Sequence, residues 1–258
     1  MLDLFSDIFA YRDNSWTRMD PRGKLVLSLA AILGVLLSTG MVFPLTVAAF
    51  GLGAMLSLRL PAKLVGARLA APLGIVMVLV LLQAVFFGRT EILSFSLLGI
   101  RVTFKQEGLW RGLLMGSKVL GGVSVMLWFS LVTPAHKIFH ALLWFRMPRG
   151  WVEIAMLMYR YIFSLLDDTA DVAAAQKVRL GYRGIKRSLS SFGALAGAVI
   201  IRSFDQASHT HEAMILRGYK GFIPFGPMPV MGRSDRLRMA SGSAILAAAY
   251  LFLEGRLF

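Results

Sequence analysis

The chain has 258 residues, 57% of them hydrophobic, a mean hydropathy of +0.67, no cysteine and a formal charge of +14. That apolar content exceeds the roughly 45–50% usual for soluble domains, and the lack of cysteine excludes disulfides and thiolate metal sites. The positive charge gathers in particular segments between apolar blocks, the pattern that orients a membrane protein, so no nucleic-acid partner is expected.

Residues 1–20 mix Asp3, Asp7, Asp13 and Asp20 with Arg12 and Arg18 and hold no apolar run before a small-residue cleavage site. No removed signal peptide is therefore expected. Residues 24–39 and 41–58 are apolar runs separated by Gly40 and the turn near Pro44, which predicts a tight helical hairpin with an uncharged tip. Arg59, Lys63 and Arg68 follow, then a third apolar run over 69–87. Residues 92–97 and 100–104 alternate around Leu98-Gly99, the signature of a β-hairpin. Residues 108–132 form a fourth apolar helix, interrupted by Lys118 and stopped before Pro134.

From 133 to 238 the composition shifts, with 15 Lys/Arg against 7 Asp/Glu. Basic loops tend to remain cytoplasmic. This places 133–238, the amino terminus and 59–68 inside, and the 40–44 turn and 89–107 outside. Residues 240–253 complete an expected five spans, with the carboxyl terminus outside. The expected organisation is a membrane part at 1–132 with four spans, cytoplasmic helices at 133–238 and a last span at 239–258. Three helices are predicted in the cytoplasmic block, at 135–146, 151–180 and 190–217. The third contains Gly193-x-x-x-Gly197, a spacing that lets helix backbones approach closely. Prolines at 224, 227 and 229 then end helical structure.

Two segments 37 residues apart share their punctuation: Arg179-Leu180-Gly181-Tyr182-Arg183-Gly184 and Leu216-Arg217-Gly218-Tyr219-Lys220-Gly221. Each closes a long helix. Gly181 and Gly218 are expected at the left-handed residue that ends a helix. Arg179 and Arg217 lie where a cation complements the helix dipole, and arginine suits paired hydrogen bonds to a partner's carboxylates. Repeated basic helix ends fit a protein-docking surface better than a substrate pocket.

Other groups carry less. Asp167-Asp168-Thr169-Ala170-Asp171 fits the D-D-x-x-D pattern that holds magnesium and a diphosphate, but no second acidic cluster faces it. His136 with His140 and His209 with His211 lack the further ligands a zinc site needs, so no bound metal is expected. Glu153 and Arg160, seven residues apart on one helix face, suggest a salt bridge with each other or with a partner. No phosphate-binding loop, HExxH or nucleophile motif is present, so ATP hydrolysis and other catalysis are not expected of this chain.

The sequence resembles the transmembrane T component of energy-coupling-factor transporters, and within it the CbiQ type of cobalt uptake systems. The resemblance runs from Met19 to Phe258. It rests on Asp20-Pro21-Arg22-Gly23-Lys24, Glu107-Gly108-Leu109, Leu131-Val132-Thr133-Pro134, Met147-Pro148 and Tyr159-Arg160-Tyr161 in that order. It rests most on the paired coupling motifs, usually written Ala-Arg-Gly. Leu216-Arg217-Gly218 fits well, whereas Arg179-Leu180-Gly181 has its arginine one position earlier, leaving Arg179 and Arg183 both open as the principal contact. The family implies an all-α, multi-pass protein of the bacterial inner (cytoplasmic) membrane, with about five transmembrane helices and a cytoplasmic coupling domain of long crossed helices.

The family also implies two ATP-binding-cassette subunits, which bind ATP and magnesium, and a CbiM-like substrate-binding membrane subunit. A small accessory membrane subunit would complete the set. No cofactor would sit on this chain. The implied coupling residues are Arg179, Leu180, Gly181, Arg183, Leu216, Arg217 and Gly218, with Ala175, Ala213, Tyr182, Tyr219, Pro148 and Arg160 in support. The rival readings are a T component for vitamins, a prenyltransferase using Asp167, Asp168 and Asp171, and a secondary transporter, for which the repeat lies in the wrong part of the chain.

Overall fold

The computed structural model describes residues 16–17, 19–58, 62–88, 91–97, 100–221, 223 and 231–254. The charged residues before position 16, Arg18, Arg59, the 98–99 turn and the 224–229 proline segment fall outside them. The chain divides into two units, Met1–Ile138 with Val230–Phe258, and Phe139–Pro229.

In the first unit, α1 (Pro21–Leu37) starts where the Asp20 side chain accepts from the Arg22 N–H at 2.9 Å and Pro21 occupies the first turn. Both residues favour a helix start there. α2 (Val42–Ser57) follows the turn at Thr39 and Gly40, and α3 (Ala62–Phe86) precedes a β-hairpin of β1 (Glu91–Leu97) and β2 (Ile100–Lys105). The strands pair antiparallel, Leu97 opposite Ile100, with an irregularity between Glu91 and Leu93. α4 (Gln106–Val132) packs on α1, α2 and α3, and α8 (Arg233–Glu254) packs on α1 and α2.

α4 can be central because glycines pave it. Gly108, Gly112 and Gly116, four residues apart, face α3; a Cβ on Gly108 would lie 2.1 Å from the Gln83 carbonyl oxygen and 2.2 Å from that of Phe87. Close backbone approach of this kind replaces the hydrophobic drive that lipid removes. Two apolar clusters hold α4 to α1 and α2. One joins Met55, Leu58, Trp128, Leu131 and Val132, and the other joins Ala31, Val35, Phe43, Val47 and Val125.

Buried polar groups lock the helix ends. Lys24, 1% exposed, donates from Nζ to the carbonyls of Thr17 and Val132, each at 3.2 Å. Val132 closes α4, so a cation lies at the negative end of that helix. Glu254 accepts from the N–H and hydroxyl of Thr39 and from the Gly40 N–H at 3.1 Å.

Among the described residues three helices are long and apolar enough to cross a membrane: Val65–Phe86 within α3, Gln106–Val132 and Arg233–Glu254. α1 and α2, with 17 and 16 residues, extend about 25 Å each. That is short of the roughly 30 Å hydrocarbon core. Leu73, Ile75, Met77, Val78 and Phe86 stand exposed on α3, as a lipid-facing surface requires. α8 begins at Arg233 rather than near 240; Arg236 N–H reaches the Gly232 carbonyl and starts the helix before the apolar run does.

α5 (Ala135–Trp144) is divided between the units. In the second unit it ends with Arg146 in the left-handed region, φ 60°, followed by Met147 and Pro148. Pro148 caps α6 (Arg149–Val178), its carbonyl accepting from Trp151 N–H. α7 (Ile185–Leu216) begins at Ile185, five residues before the expected start, because Gly184 at φ 88° breaks the chain and its carbonyl accepts from Ser188 N–H.

Candidate functional site

α6 and α7 form an antiparallel hairpin held at separate levels. Thr210 donates to the Tyr161 hydroxyl at 2.9 Å, Arg202 pairs with Asp168 at 3.2 Å, and Gln176 Nε2 donates to the Ser191 carbonyl at 3.0 Å. Partners on α7 fall in number as those on α6 rise, so the carboxyl end of each helix lies near the amino end of the other. α7 alone, at 32 residues, extends about 48 Å. The two repeated helix ends are therefore far apart.

Both ends close with one hydrogen-bond pattern. At α6, Arg179 N–H reaches the Ala175 carbonyl, Leu180 N–H that of Lys177 and Gly181 N–H that of Gln176. At α7, Arg217 N–H reaches Ala213, Gly218 N–H reaches Ile215 and Tyr219 N–H reaches Met214. Each is a Schellman cap, which satisfies carbonyls the helix leaves free. The equivalences are Ala175 with Ala213 and Arg179 with Arg217. This corrects the expectation that Gly181 matches Gly218. The left-handed residue after α6 is Leu180, φ 56°, and its counterpart is Gly218, φ 83°. One extra residue in the first copy explains the displaced arginine, and the copies regain register at Gly184 and Gly221, both at φ 88°.

Gly181 has a different role. A Cβ there would meet Ser191 Oγ at 2.6 Å and the Gln176 carbonyl oxygen at 2.9 Å. It is the close approach between the connecting loop and α7, tied by Ser191 Oγ to the Gly181 carbonyl at 2.9 Å and by Tyr182 OH to Gln176 Oε1 at 2.7 Å. Gly193 and Gly197, expected at a helix contact, instead face open space.

Arg179, Arg183 and Arg217 are exposed, as are Val178 at 83% and Leu216 at 88%. Among the described residues neither Arg179 nor Arg217 forms an ion pair within the chain. Arg183 lies in the loop, its N–H bonded to the Leu180 carbonyl, and has no helix-end position. Arg160 stacks 5.9 Å from the Tyr161 ring centroid, while Glu153 is buried; no ion pair joins them among the described residues. Asp168 points to Arg202, which splits the D-D-x-x-D set, and Asp167 and Asp171 are exposed. Among the described residues no three His, Asp or Glu converge.

A cleft of about 690 Å³ opens beside the α7 end, with Arg160, Tyr161, Ala213, Arg217, Gly218 and Tyr219 in its wall. Sequence reasoning found those six separately but missed the cleft and the Gln176–Ser191 tie. Nothing in a lone Gln or Ser signals a partner 15 residues away.

Residues 12–225 match the family of CbiQ, cobalt transport protein. The chain belongs to the CbiQ family. It is 30% identical over 213 residues to the uncharacterized protein MJ1089 of Methanocaldococcus jannaschii, covering 81% of this chain and 79% of that one. It is 28% identical over 204 residues to a fused cobalt transport protein, CbiMQ, of Methanocorpusculum labreanum, covering 34% of the relative. The cobalt transport protein CbiQ of Rhodobacter capsulatus is 30% identical over 128 residues, 47% of this chain and 51% of the relative. The chain thus spans a third of the fused relative and half of the last. With its membrane-length helices, it is a multi-pass membrane protein of a transport family.

Proposed function

We propose that the chain is the non-catalytic coupling subunit of an energy-coupling-factor importer. Two cytoplasmic ATP-binding-cassette subunits would bind ATP and magnesium, and each would receive one end of the α6–α7 hairpin. Nucleotide-driven motion would pass to a substrate-binding membrane subunit. The observation that carries this reading is the pair of matching helix caps, each presenting an exposed arginine, at the two ends of one hairpin. A two-ended rod can sense the separation of two partners. Coupling needs an element whose arrangement both sites bias, and the hairpin is that element. Arg179, as the positional match of Arg217, is the principal contact at the first end, with Arg183 secondary.

A CbiM-like partner is supported by the CbiMQ relative, whose name joins the two components in one chain. Cobalt ion is the substrate favoured by the names of the CbiQ relatives. In this reading 133–238 and the amino terminus face the cytoplasm.

The test is charge reversal. Arg179→Glu with Arg217→Glu should abolish co-purification of the ATPase subunits and reduce labelled cobalt uptake to background, with membrane insertion retained. Reversing a charge at a desolvated pair removes roughly 2–5 kcal/mol. Arg183→Glu should leave most co-purification. Continued assembly and uptake in the double variant would defeat the reading, and vitamin uptake in place of cobalt would reassign the substrate alone.

A further inference from the structure

The cleft beside Arg217 adjoins a second one of about 810 Å³, and the two share Leu157, Tyr161, Gln206, Thr210, Met214 and Tyr219 as a common wall. Both volumes lie in the roughly 300–1,000 Å³ range of ligand sites. Their chemistry differs sharply. The first adds Arg160, Arg217, Lys220 and His209; the second adds Phe139, Ile154, Met158, Ile162 and Leu165. Among the described residues neither is lined by an Asp or Glu. A cationic recess joined to an apolar one matches an amphiphile with an anionic head.

We propose that the paired clefts hold an anionic phospholipid, its phosphate between Arg160 and Lys220 and an acyl chain along Ile154, Met158 and Ile162. Hydrogen bonds from ionised donors to phosphate are the strong ones, and basic recesses at a membrane's cytoplasmic face attract acidic lipids. An acidic peptide would fill the cationic recess and leave the apolar one uncovered, whereas a bilayer supplies molecules with both parts. The site rests on the cytoplasmic placement of 133–238 in the proposed function, but not on the contacts with the ATPase subunits. Its position next to Arg217 makes lipid composition a control on that helix end.

The purified full-length chain, without partner subunits, would be titrated with phosphatidylglycerol, with phosphatidylcholine of the same acyl chains, and with glycerol phosphate. Retained ligand is read by native mass spectrometry. Phosphatidylglycerol should be retained at least about tenfold better than phosphatidylcholine, and glycerol phosphate should not be retained. Each basic residue near an acidic lipid surface contributes about fivefold, so Arg160→Ala with Lys220→Ala should lower phosphatidylglycerol retention roughly ten- to thirtyfold. Ala207→Phe, which fills the apolar cleft, should weaken both lipids, with helical circular dichroism unchanged in each variant. Equal retention of the two lipids, indifference to the double substitution, or retention of glycerol phosphate would overturn the proposal. So would crosslinks from positions 158 and 220 to a partner subunit, in place of lipid, in the assembled transporter.

Discussion

The membrane unit and the α6–α7 hairpin use the same small residues to opposite ends. In the membrane unit, glycines on α4 lie against the α3 backbone, where Gly108 leaves no room for a methyl group. On α7, Gly193 and Gly197 have the same four-residue spacing and face nothing within 4 Å. The spacing alone does not define a contact; what stands opposite does. Inside lipid, helices gain little from hiding apolar surface, so backbone proximity must hold them together. The hairpin is held instead by discrete polar pairs, which leaves most of its length free for a partner or for lipid.

The largest break in that contrast is Gly108→Leu. The added side chain meets two carbonyl oxygens closer than 2.3 Å, so the expected loss exceeds the roughly 1–3 kcal/mol of ordinary overpacking. Size-exclusion chromatography in detergent should show no monodisperse species. Gly193→Ala and Gly197→Ala should each stabilise by about 0.5–1 kcal/mol, because glycine weakens a helix interior. Destabilisation of the hairpin by either alanine would mean that α7 has a close neighbour at that face.

A middle-sized effect separates the two helix caps. Leu180 holds a left-handed conformation that disfavours a side chain by roughly 1–2 kcal/mol, so Leu180→Gly should raise the thermal midpoint. Gly218→Ala should lower it, at a cost of about 1 kcal/mol in stability. Opposite signs at matched positions are the signature; equal signs would break the equivalence of the caps. The smallest effect belongs to the Asp168–Arg202 pair, whose side chains are 40% and 55% exposed. Asp168→Asn should cost under about 1 kcal/mol, with the difference vanishing in high salt.

The apolar blocks, the 92–104 alternation and the repeated helix ends were legible because each is a periodic or punctuated local pattern. The residue at each cap was not. Rules of propensity assign the left-handed position to glycine, and at α6 that position falls on Leu180, with Gly181 spent on the approach to Ser191. The start of α7 at Ile185 escaped because the break is supplied by Gly184, which read only as part of the repeated segment. Lys24 begins the first apolar run. Its burial against Val132 depends on a helix 108 residues away, which no local pattern encodes.

The carboxylate of Glu254 has a consequence for how the membrane unit is made. The turn between α1 and α2 leaves the amide hydrogens of Thr39 and Gly40 to be satisfied by a residue more than two hundred positions later in the chain. During synthesis those donors must wait, exposed to water or lipid headgroups, until α8 is in place. The α1–α2 turn is thus sealed by α8, so assembly of this unit closes as a ring rather than accumulating from one end. Chains halted before α8 would leave an open, quality-control-visible edge at that turn.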